Sequence, residues 1–211
     1  DIAGCAALAE EYGLAMIEDA ACAIGSAVDG RPIGSHSSLV TFSFHPRKLV
    51  TTGDGGMILT SSEDYATRLR RLRQHGMSVN DRVRHAATSV VRESYLEVAW
   101  NYRLTDIQAA MGIEQLRRLP GMVARRQYLA ARYNKLLANH PTIRTPVVPE
   151  GVEWNVQSYA VRLEGFDAAA RDAVMQHLLD AGIASRPGVM TAHREPAYAN
   201  PDGSPRGSLP V

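Results

Sequence analysis

Three side chains between residues 18 and 50 are of types that carry out acid–base and covalent chemistry. The acid Asp19 follows a short apolar run, the hydroxyl of Ser43 ends a run of β-branched and aromatic residues, and Lys48 comes five residues later. A glycine-rich turn, Thr51-Thr-Gly-Asp-Gly-Gly56, follows directly. Only Lys48 and Lys135 are lysines, so chemistry that requires a side-chain amine has two candidates.

Together these residues could bind three functional groups of a single ligand. A lysine amine can hold an aldehyde as a Schiff base, and a carboxylate beside a pyridine nitrogen keeps that nitrogen protonated and electron-withdrawing. Ser43 and the backbone amides of the glycine-rich turn are suitable donors to a phosphate. Aldehyde, pyridine nitrogen and phosphate are the handles of pyridoxal 5′-phosphate. Each residue alone is typical of a surface or turn position, so the prediction depends on their order and spacing.

Helices and strands alternate around these residues. Capping residues, apolar periodicity and glycine stops mark the boundaries of each element. The predicted elements are a helix over 2–12, a buried strand over 14–17, a turn at 29–30, strands over 39–44 and 57–60, and a helix after Ser62. This alternation favours an α/β sheet over an all-helical bundle.

The second half of the chain predicts a long loop, two helices and a smaller domain. Residues 75–100 lack a clear apolar period, and loops of such length inside domains are usually functional or mobile. The predicted elements that follow are a helix after Thr105 with close packing at Gly112, a helix over 121–139 that begins at Pro120, a proline-rich linker, a strand over 157–163, a helix after Asp167 and a loop from Ala199.

The composition excludes several classes of protein. Twenty-three basic and 22 acidic side chains give a net charge of +1, so no nucleic-acid or anionic-membrane partner is predicted. No apolar run approaches the length of a membrane-spanning helix. Cys5 and Cys22 fit no disulfide framework, which favours the cytoplasm. The seven histidines lack HExxH or similar spacing, so no metal site is predicted and metal-dependent hydrolysis is disfavoured.

Ordered motifs resemble those of the pyridoxal-phosphate nucleotide-sugar aminotransferases, the DegT/DnrJ/StrS family. The motifs are Glu18-Asp-Ala-Ala-Cys-Ala-Ile-Gly25, Phe42-Ser-Phe-His-Pro-Arg-Lys48, Thr52-Gly-Asp-Gly-Gly-Met57, Trp100-Asn-Tyr-Arg-Leu-Thr-Asp106 and Gly182-Ile-Ala-Ser-Arg-Pro-Gly-Val-Met190. The resemblance implies an α/β fold of the fold type I PLP-transferases. It implies the C-terminal part of the large domain, with a mixed seven-stranded type of sheet, over 1–119. A connecting helix and the start of a smaller α+β domain would occupy 120–211.

The resemblance also implies roles for individual residues. Lys48 would be the catalytic amine that binds pyridoxal 5′-phosphate, Asp19 would pair with the ring nitrogen, and Ser43 would bind the phosphate. Cys22 stands where many members carry a glutamine near the oxygen side of the ring. The remaining implied residues are Asn101 and Arg103, which would complete the site of a partner subunit in a homodimer, and His45, Arg186 and His193, which would contact substrate.

The implied reaction moves an amino group, with glutamate as donor, to a keto group of a nucleotide-linked sugar in glycan or antibiotic-sugar biosynthesis. Two alternatives stay open: a degenerate fragment that dimerises or regulates, and a PLP-dependent sugar dehydratase. The dehydratases carry histidine in place of the Schiff-base lysine, and His45 lies three residues before Lys48. Because the chain begins at Asp1, we expect it to start inside a longer protein and, in isolation, to bind the cofactor poorly.

Overall fold

A computed structural model of the chain describes residues 1–189 and 191–200. Within this range the chain forms two compact units, the first comprising Asp1–Tyr133 and Val147–Ser158, the second comprising Asn134–Pro146 and the chain from Tyr159 onward. Met190, the last residue of the fifth motif, and the predicted loop beyond residue 200 lie outside the described residues.

The main sheet of the first unit has three strands: β1 (Glu18–Asp19), β4 (Leu39–Ser43) and β5 (Gly56–Thr60), in the order β1-β4-β5. β1 runs parallel to β4, and β5 pairs antiparallel with β4. The central strand contributes Val40, which is 1% exposed, and the chain beyond it buries Phe44 and Val50. Since parallel strands end at the same edge of a sheet, β1 and β4 bring Asp19 and Ser43 to one edge.

A second small sheet connects distant parts of the same unit. β2 (Ala27–Val28) pairs with β3 (Arg31–Pro32) and with β7 (Val152–Glu153), both antiparallel. Asp29 and Gly30 have φ of 49° and 73°, the left-handed geometry of a type I′ hairpin turn, as the Asp-Gly pair predicts. This sheet therefore attaches the segment around residue 152 to the chain just after the first motif.

Five α-helices occur in the described part of the chain: α1 (Ile2–Glu11), α2 (Glu63–Leu72), α3 (Asp81–Ala86), α4 (Asp106–Leu137) and α5 (Ala168–Asp180). The predicted caps are confirmed, since Ser62 accepts from the amide of Tyr65 and Asp167 from that of Ala170. None of the helices in this part combines the length and apolarity needed to cross a membrane.

The second unit combines a two-stranded sheet with α5. Strands β6 (Ile143–Arg144) and β8 (Arg162–Leu163) pair antiparallel, and short 3-10 helices follow at Ala192–Arg194 and Pro196–Tyr198. Glu164, just after β8, forms ion pairs with Arg144 and Arg162, both at 2.6 Å. Hydrogen bonds from Arg162, opposed by partial desolvation and reinforced by both arginine charges, hold the pKa of Glu164 below its usual range.

The helix predicted to begin at Pro120 is wrong, because Pro120 lies inside the continuous helix α4. A proline cannot donate the backbone hydrogen bond to the fourth preceding carbonyl, here that of Leu116. Pro120 and Leu116 are both exposed, so water can satisfy that carbonyl and the helix continues. The predicted domain boundary between residues 119 and 120 falls within α4; the boundary itself stays a prediction.

Other element predictions also need correction. The buried strand over 14–17 is absent: only Glu18–Asp19 forms a strand, and Leu14 is 64% exposed because β1 lies at the edge of its sheet. The predicted strand over 157–163 is reduced to β8. The predicted loop over 75–100 contains α3 and is held against the end of α2, where the amide of His75 donates to the Trp100 carbonyl at 2.8 Å.

Candidate active site

The acid and the hydroxyl predicted to contact the cofactor lie at the shared edge of β1 and β4. Asp19 is in register with Thr41, and Ser43 lies two residues further along β4, about 7 Å along the strand. The Asp19 Oδ1 accepts from the amide of Ala21 at 3.0 Å, and the Asp19 residue is exposed. The Ser43 Oγ accepts from the amide of His45 at 3.3 Å. Both side chains are thus oriented by the turn that follows their strand.

A tight turn after β4 carries the lysine. The amide of Lys48 donates to the carbonyl of His45 at 2.9 Å, and the amide of Arg47 donates to His45 Nδ1 at 3.2 Å. From this turn the Lys48 Nζ donates to Cys22 Sγ at 2.8 Å. Cys22 is the third residue after Asp19. The structure therefore brings the amine to the turn that begins at the predicted ring-nitrogen partner.

Glu18 fixes this edge of the sheet. Its carboxylate accepts three backbone amides, those of Gly34 at 3.0 Å, His36 at 2.9 Å and Ser37 at 2.7 Å, and the residue is 6% exposed. Burial raises the pKa of Glu18, but the backbone donors outweigh it and the net pKa is lowered. A buried, charged carboxylate thus ties β1 to the chain that leads into β4.

The glycine-rich turn differs from the expectation that its amides are open to a phosphate. The Gly53 amide donates to Thr51 Oγ1 at 3.1 Å, and the Gly55 amide donates to Asp54 Oδ1 at 2.8 Å. Both amides are engaged within the turn. Of the phosphate donors predicted in this region, the Ser43 hydroxyl is the one that lies at the strand edge.

The start of α4 packs on the same turn. Gln108 Nε2 donates to the carbonyl of Asp54 at 3.1 Å. Gly112 is buried, and a Cβ added there would lie 3.2 Å from Thr52 Cγ2, so the predicted close packing at Gly112 is confirmed.

Asn101 and Arg103 precede α4 on the exposed surface. Arg103 Nε donates to Asn101 Oδ1 at 3.1 Å, and the segment is anchored to α2 where the amide of Tyr102 donates to the Arg73 carbonyl at 2.9 Å. The two side chains are therefore held together on one surface. Their role in a partner's site stays a prediction.

The remaining predicted residues divide between the two units. His45 is half-buried in the Lys48 turn of the first unit. Arg186 is exposed after α5, and His193 is half-buried in the Ala192–Arg194 helix, both in the second unit. The structure brings Lys48 and Cys22 into contact, with Asp19, Ser43 and His45 on the same edge; the substrate roles stay predictions.

Two residues that sequence reasoning missed bind the backbone on either side of the Lys48–Cys22 contact. Asn155 Nδ2 donates to the carbonyl of Cys22 at 3.0 Å, and Gln157 Nε2 donates to the carbonyl of Arg47 at 2.9 Å. These partners are 133 and 110 residues apart along the chain. The sole signal in the sequence is a pair of side-chain amides, Asn155 just before the predicted strand over 157–163 and Gln157 at its first position.

The donor set fits pyridoxal 5′-phosphate. A primary amine suits its aldehyde, a carboxylate at a strand end suits its ring nitrogen, and a hydroxyl on the neighbouring strand suits its phosphate. Lys48, Asp19 and Ser43 supply these groups at one edge of the sheet.

Within the described residues no group of three or more histidine, cysteine or acidic side chains is arranged to hold a metal ion.

Comparison with known proteins gives one consistent family. The chain matches the DegT/DnrJ/EryC1/StrS aminotransferase family over residues 1–211. It is 31% identical to the uncharacterized protein MJ1066 of Methanocaldococcus jannaschii over 205 residues, covering 96% of this chain and 53% of that protein.

Solved structures of similar proteins point to the same family. The aminotransferase TlmJ from Streptoalloteichus hindustanus is 33% identical with a TM-score of 0.81, covering 97% of this chain and 51% of that one. S. venezuelae DesV, solved in complex with a ketimine intermediate, is 34% identical with a TM-score of 0.81, covering 97% and 52%. The chain thus spans about half the length of these relatives, and the fold class predicted from the sequence, part of a fold type I PLP aminotransferase, is confirmed. The chain belongs to the DegT/DnrJ/EryC1/StrS aminotransferase family.

Proposed function

We propose that the whole protein is a PLP-dependent aminotransferase that moves an amino group from glutamate to a keto group of a nucleotide-linked sugar. Enzymes of this family use pyridoxal 5′-phosphate. The observation that carries the proposal is the position of the Lys48 amine, 2.8 Å from the thiol of Cys22 in the turn that starts at Asp19. Of the two lysines, this one follows the strand edge that carries Asp19 and Ser43.

When bound, the cofactor supplies an aldehyde that condenses with amines and a ring that accepts electrons from the reacting carbon. Lys48 would hold the aldehyde through its Nζ and, as a free amine, would move a proton at that atom. The Asp19 carboxylate would keep the ring nitrogen protonated, and the Ser43 hydroxyl would donate to the phosphate. Cys22, at the position where the family resemblance implies a glutamine in many members, contacts the Lys48 amine.

The substrate and the assembly belong to the same proposal. The residues proposed to contact the nucleotide-linked sugar are His45, Arg186 and His193. Asn101 and Arg103 are exposed and joined by a hydrogen bond, which suits a role in completing the site of a second subunit in a homodimer. We assign the reaction to the cytoplasm, where the free, exposed thiols of Cys5 and Cys22 stay reduced. Its products would enter glycan or antibiotic-sugar biosynthesis.

In the experiment, the full-length protein is first loaded with pyridoxal 5′-phosphate. It is then incubated with glutamate and each member of a panel of nucleotide-linked keto-sugars. Mass spectrometry detects replacement of the keto oxygen by an amine, and 2-oxoglutarate is measured in parallel. The parent and the matched control Lys135→Ala should turn over, and Lys48→Ala should lose about 100-fold or more of the rate. Equal turnover by Lys48→Ala and the parent would rule out the proposed role of this amine.

A further inference from the structure

We propose that residues Asn155, Val156 and Gln157, here called the 155–157 clip, position the Lys48 amine for the reaction. The inference rests on the proposed function for its catalytic meaning. It rests on the structure alone for its geometry, because the clip binds the backbone on both sides of the Lys48–Cys22 contact. The clip residues are positioning residues: they act through the backbone that carries the reacting groups.

Asn155 holds the cysteine side of this contact. Its side chain is fully buried, and its Nδ2 donates to the carbonyls of Cys22 at 3.0 Å and Ile24 at 2.8 Å. Its backbone amide donates to Ser26 Oγ at 3.0 Å. Both amide protons of one side chain are therefore spent on the turn that carries the thiol. A buried amide with every donor satisfied fixes its partners, because each lost bond would leave a polar group unpaired.

Gln157 holds the lysine side. Its Oε1 accepts from the amide of Leu49 at 3.1 Å, and its Nε2 donates to the carbonyl of Arg47 at 2.9 Å. These are the two residues that flank Lys48 in the chain. One side-chain amide thus closes around the backbone of the lysine and limits the directions in which the Lys48 side chain can leave the turn.

The backbone between these two amides is held in an unfavourable conformation. Val156 has φ of 55° and is 6% exposed, and a β-branched residue in the left-handed region is a genuine outlier. The Asn155 Oδ1 accepts from the amide of Gln157 at 3.0 Å, which closes a turn around Val156. Strained conformations persist only where the surroundings over-determine them, and they concentrate at functional sites. Here the anchors on both sides of Val156 are the two amides that reach the active-site backbone.

Helix α4 supports the clip from behind. Arg126 Nη1 donates to the carbonyls of Val156 at 2.9 Å and Gln157 at 3.3 Å. Gln127, also on α4, donates from Nε2 to the carbonyl of Trp154, the residue just before the clip, at 3.0 Å. Gln127 therefore stabilises the segment without touching any group next to Lys48 or Cys22. This difference supplies a matched control for the test.

The test reads the reactivity of the Lys48 amine directly. Full-length protein without cofactor is treated with limiting acetic anhydride, and peptide mass spectrometry gives the ratio of Lys48 to Lys135 acetylation. Gln157→Ala should raise this ratio about threefold to tenfold, the factor that corresponds to one lost hydrogen bond, because the amine is no longer held against Cys22. Gln157→Glu keeps the acceptor for Leu49 but loses the donor to Arg47, and should give an intermediate ratio. Gln127→Ala should leave the ratio unchanged.

A second readout uses the loaded enzyme. Gln157→Ala should lower kcat about tenfold with little change in KM for the keto-sugar, as expected when a reacting group is misplaced rather than a substrate contact removed. Thermal unfolding followed by circular dichroism identifies the variants that fold. Gln157→Ala is the primary variant because Gln157 is only half-buried in the parent. Asn155→Ala is tested beside it as the variant on the cysteine side of the contact.

The outcomes separate the clip from the proposed function. A folded Gln157→Ala with the parent's labelling ratio, or a Gln127→Ala that shifts the ratio equally, would overturn the clip whatever the enzyme does. A shifted ratio in a protein whose parent neither binds pyridoxal 5′-phosphate nor transaminates would uphold the positioning of Lys48 and refute the proposed function. A shifted ratio together with the kcat loss supports both.

Discussion

Replacing Glu18 with glutamine should destabilise the protein strongly at neutral pH and weakly in acid. The carboxylate is 6% exposed and accepts the amides of Gly34, His36 and Ser37. A glutamine retains one acceptor oxygen, so at least one buried amide loses its partner and faces an NH2 group. Hydrogen bonds to charged groups contribute about 1.5–3 kcal/mol each, and the orphaned amide adds to the loss, so we expect about 2–4 kcal/mol.

The pH dependence follows from the lowered pKa of Glu18. A carboxyl whose pKa is lower in the folded state stabilises the protein above its unfolded-state pKa, here 4.5, and loses that contribution as the pH falls through the lowered folded value. The difference in the free energy of unfolding between parent and Glu18→Gln should therefore be full at pH 7 and shrink below pH 4.5.

Urea unfolding of the full-length protein at several pH values measures this difference. With m of about 2 kcal/mol per molar urea, the expected loss lowers the midpoint at pH 7 by about 1–2 M. The control is Glu63→Gln, since Glu63 is 87% exposed and 3.9 Å from Arg70, where a surface ion pair contributes about 0.5 kcal/mol or less. A Glu18→Gln midpoint equal to the parent's, or a difference that does not change with pH, would refute the role assigned to this carboxylate.

Three further predictions concern the turns, the thiol and a helix cap. Gly76→Ala should lower the free energy of unfolding by about 3 kcal/mol or more, because the added Cβ overlaps the Glu97 carbonyl oxygen. Gly13 also has a left-handed backbone, but a Cβ added there meets no atom, so Gly13→Ala should lower it by only about 1–2 kcal/mol. Equal losses of stability for the two variants in thermal melts would contradict the clash at Gly76. Alkylation of the exposed Cys22 by iodoacetamide should lower the rate of transamination about tenfold or more, because the added group displaces the Lys48 amine. The Cys5→Ser control should behave like the parent. Full activity in protein whose Cys22 is completely alkylated, as measured by peptide mass spectrometry, would show that the contact does not contribute to catalysis. Asp167→Ala should cost about 1 kcal/mol by removing the cap of α5, and Asp167→Asn should recover most of it; an Asn variant as unstable as Ala in chemical unfolding would count against capping.

Local chemistry in the sequence predicted part of the fold and of the site. The caps at Ser62 and Asp167 and the turn at Asp29 depend on residues within four positions, so their signals are readable. The strand end that carries Ser43 follows from a short run of β-branched and aromatic residues, whereas the apolar run before Asp19 predicts a strand over 14–17 that the structure replaces with Glu18–Asp19. The family resemblance implies cofactor roles for both Lys48 and Cys22; the structure shows that the two side chains are in contact, and the roles stay predictions.

The rest depends on contacts between distant segments, which composition and period do not encode. Glu18 looked like an ordinary acid at a strand end; its burial depends on three amides 16 to 19 residues away. Asn155 and Gln157 reach groups more than 100 residues away, and the left-handed Val156 directly precedes the strand that the alternating pattern predicted over 157–163. The intrinsic preference of proline predicts a helix start at Pro120, but the exposure that lets α4 continue through this residue depends on packing that the local sequence does not encode.

The most direct measurement of the central claim is chemical trapping of the cofactor on the full-length protein. Incubation with pyridoxal 5′-phosphate, reduction with sodium borohydride and peptide mass spectrometry locate the amine that had bound the aldehyde. We expect a single pyridoxyl adduct on the peptide that contains Lys48, with none on Lys135 and none on Lys48→Ala protein. An adduct elsewhere, or unmodified Lys48 in protein that carries bound cofactor, would contradict it.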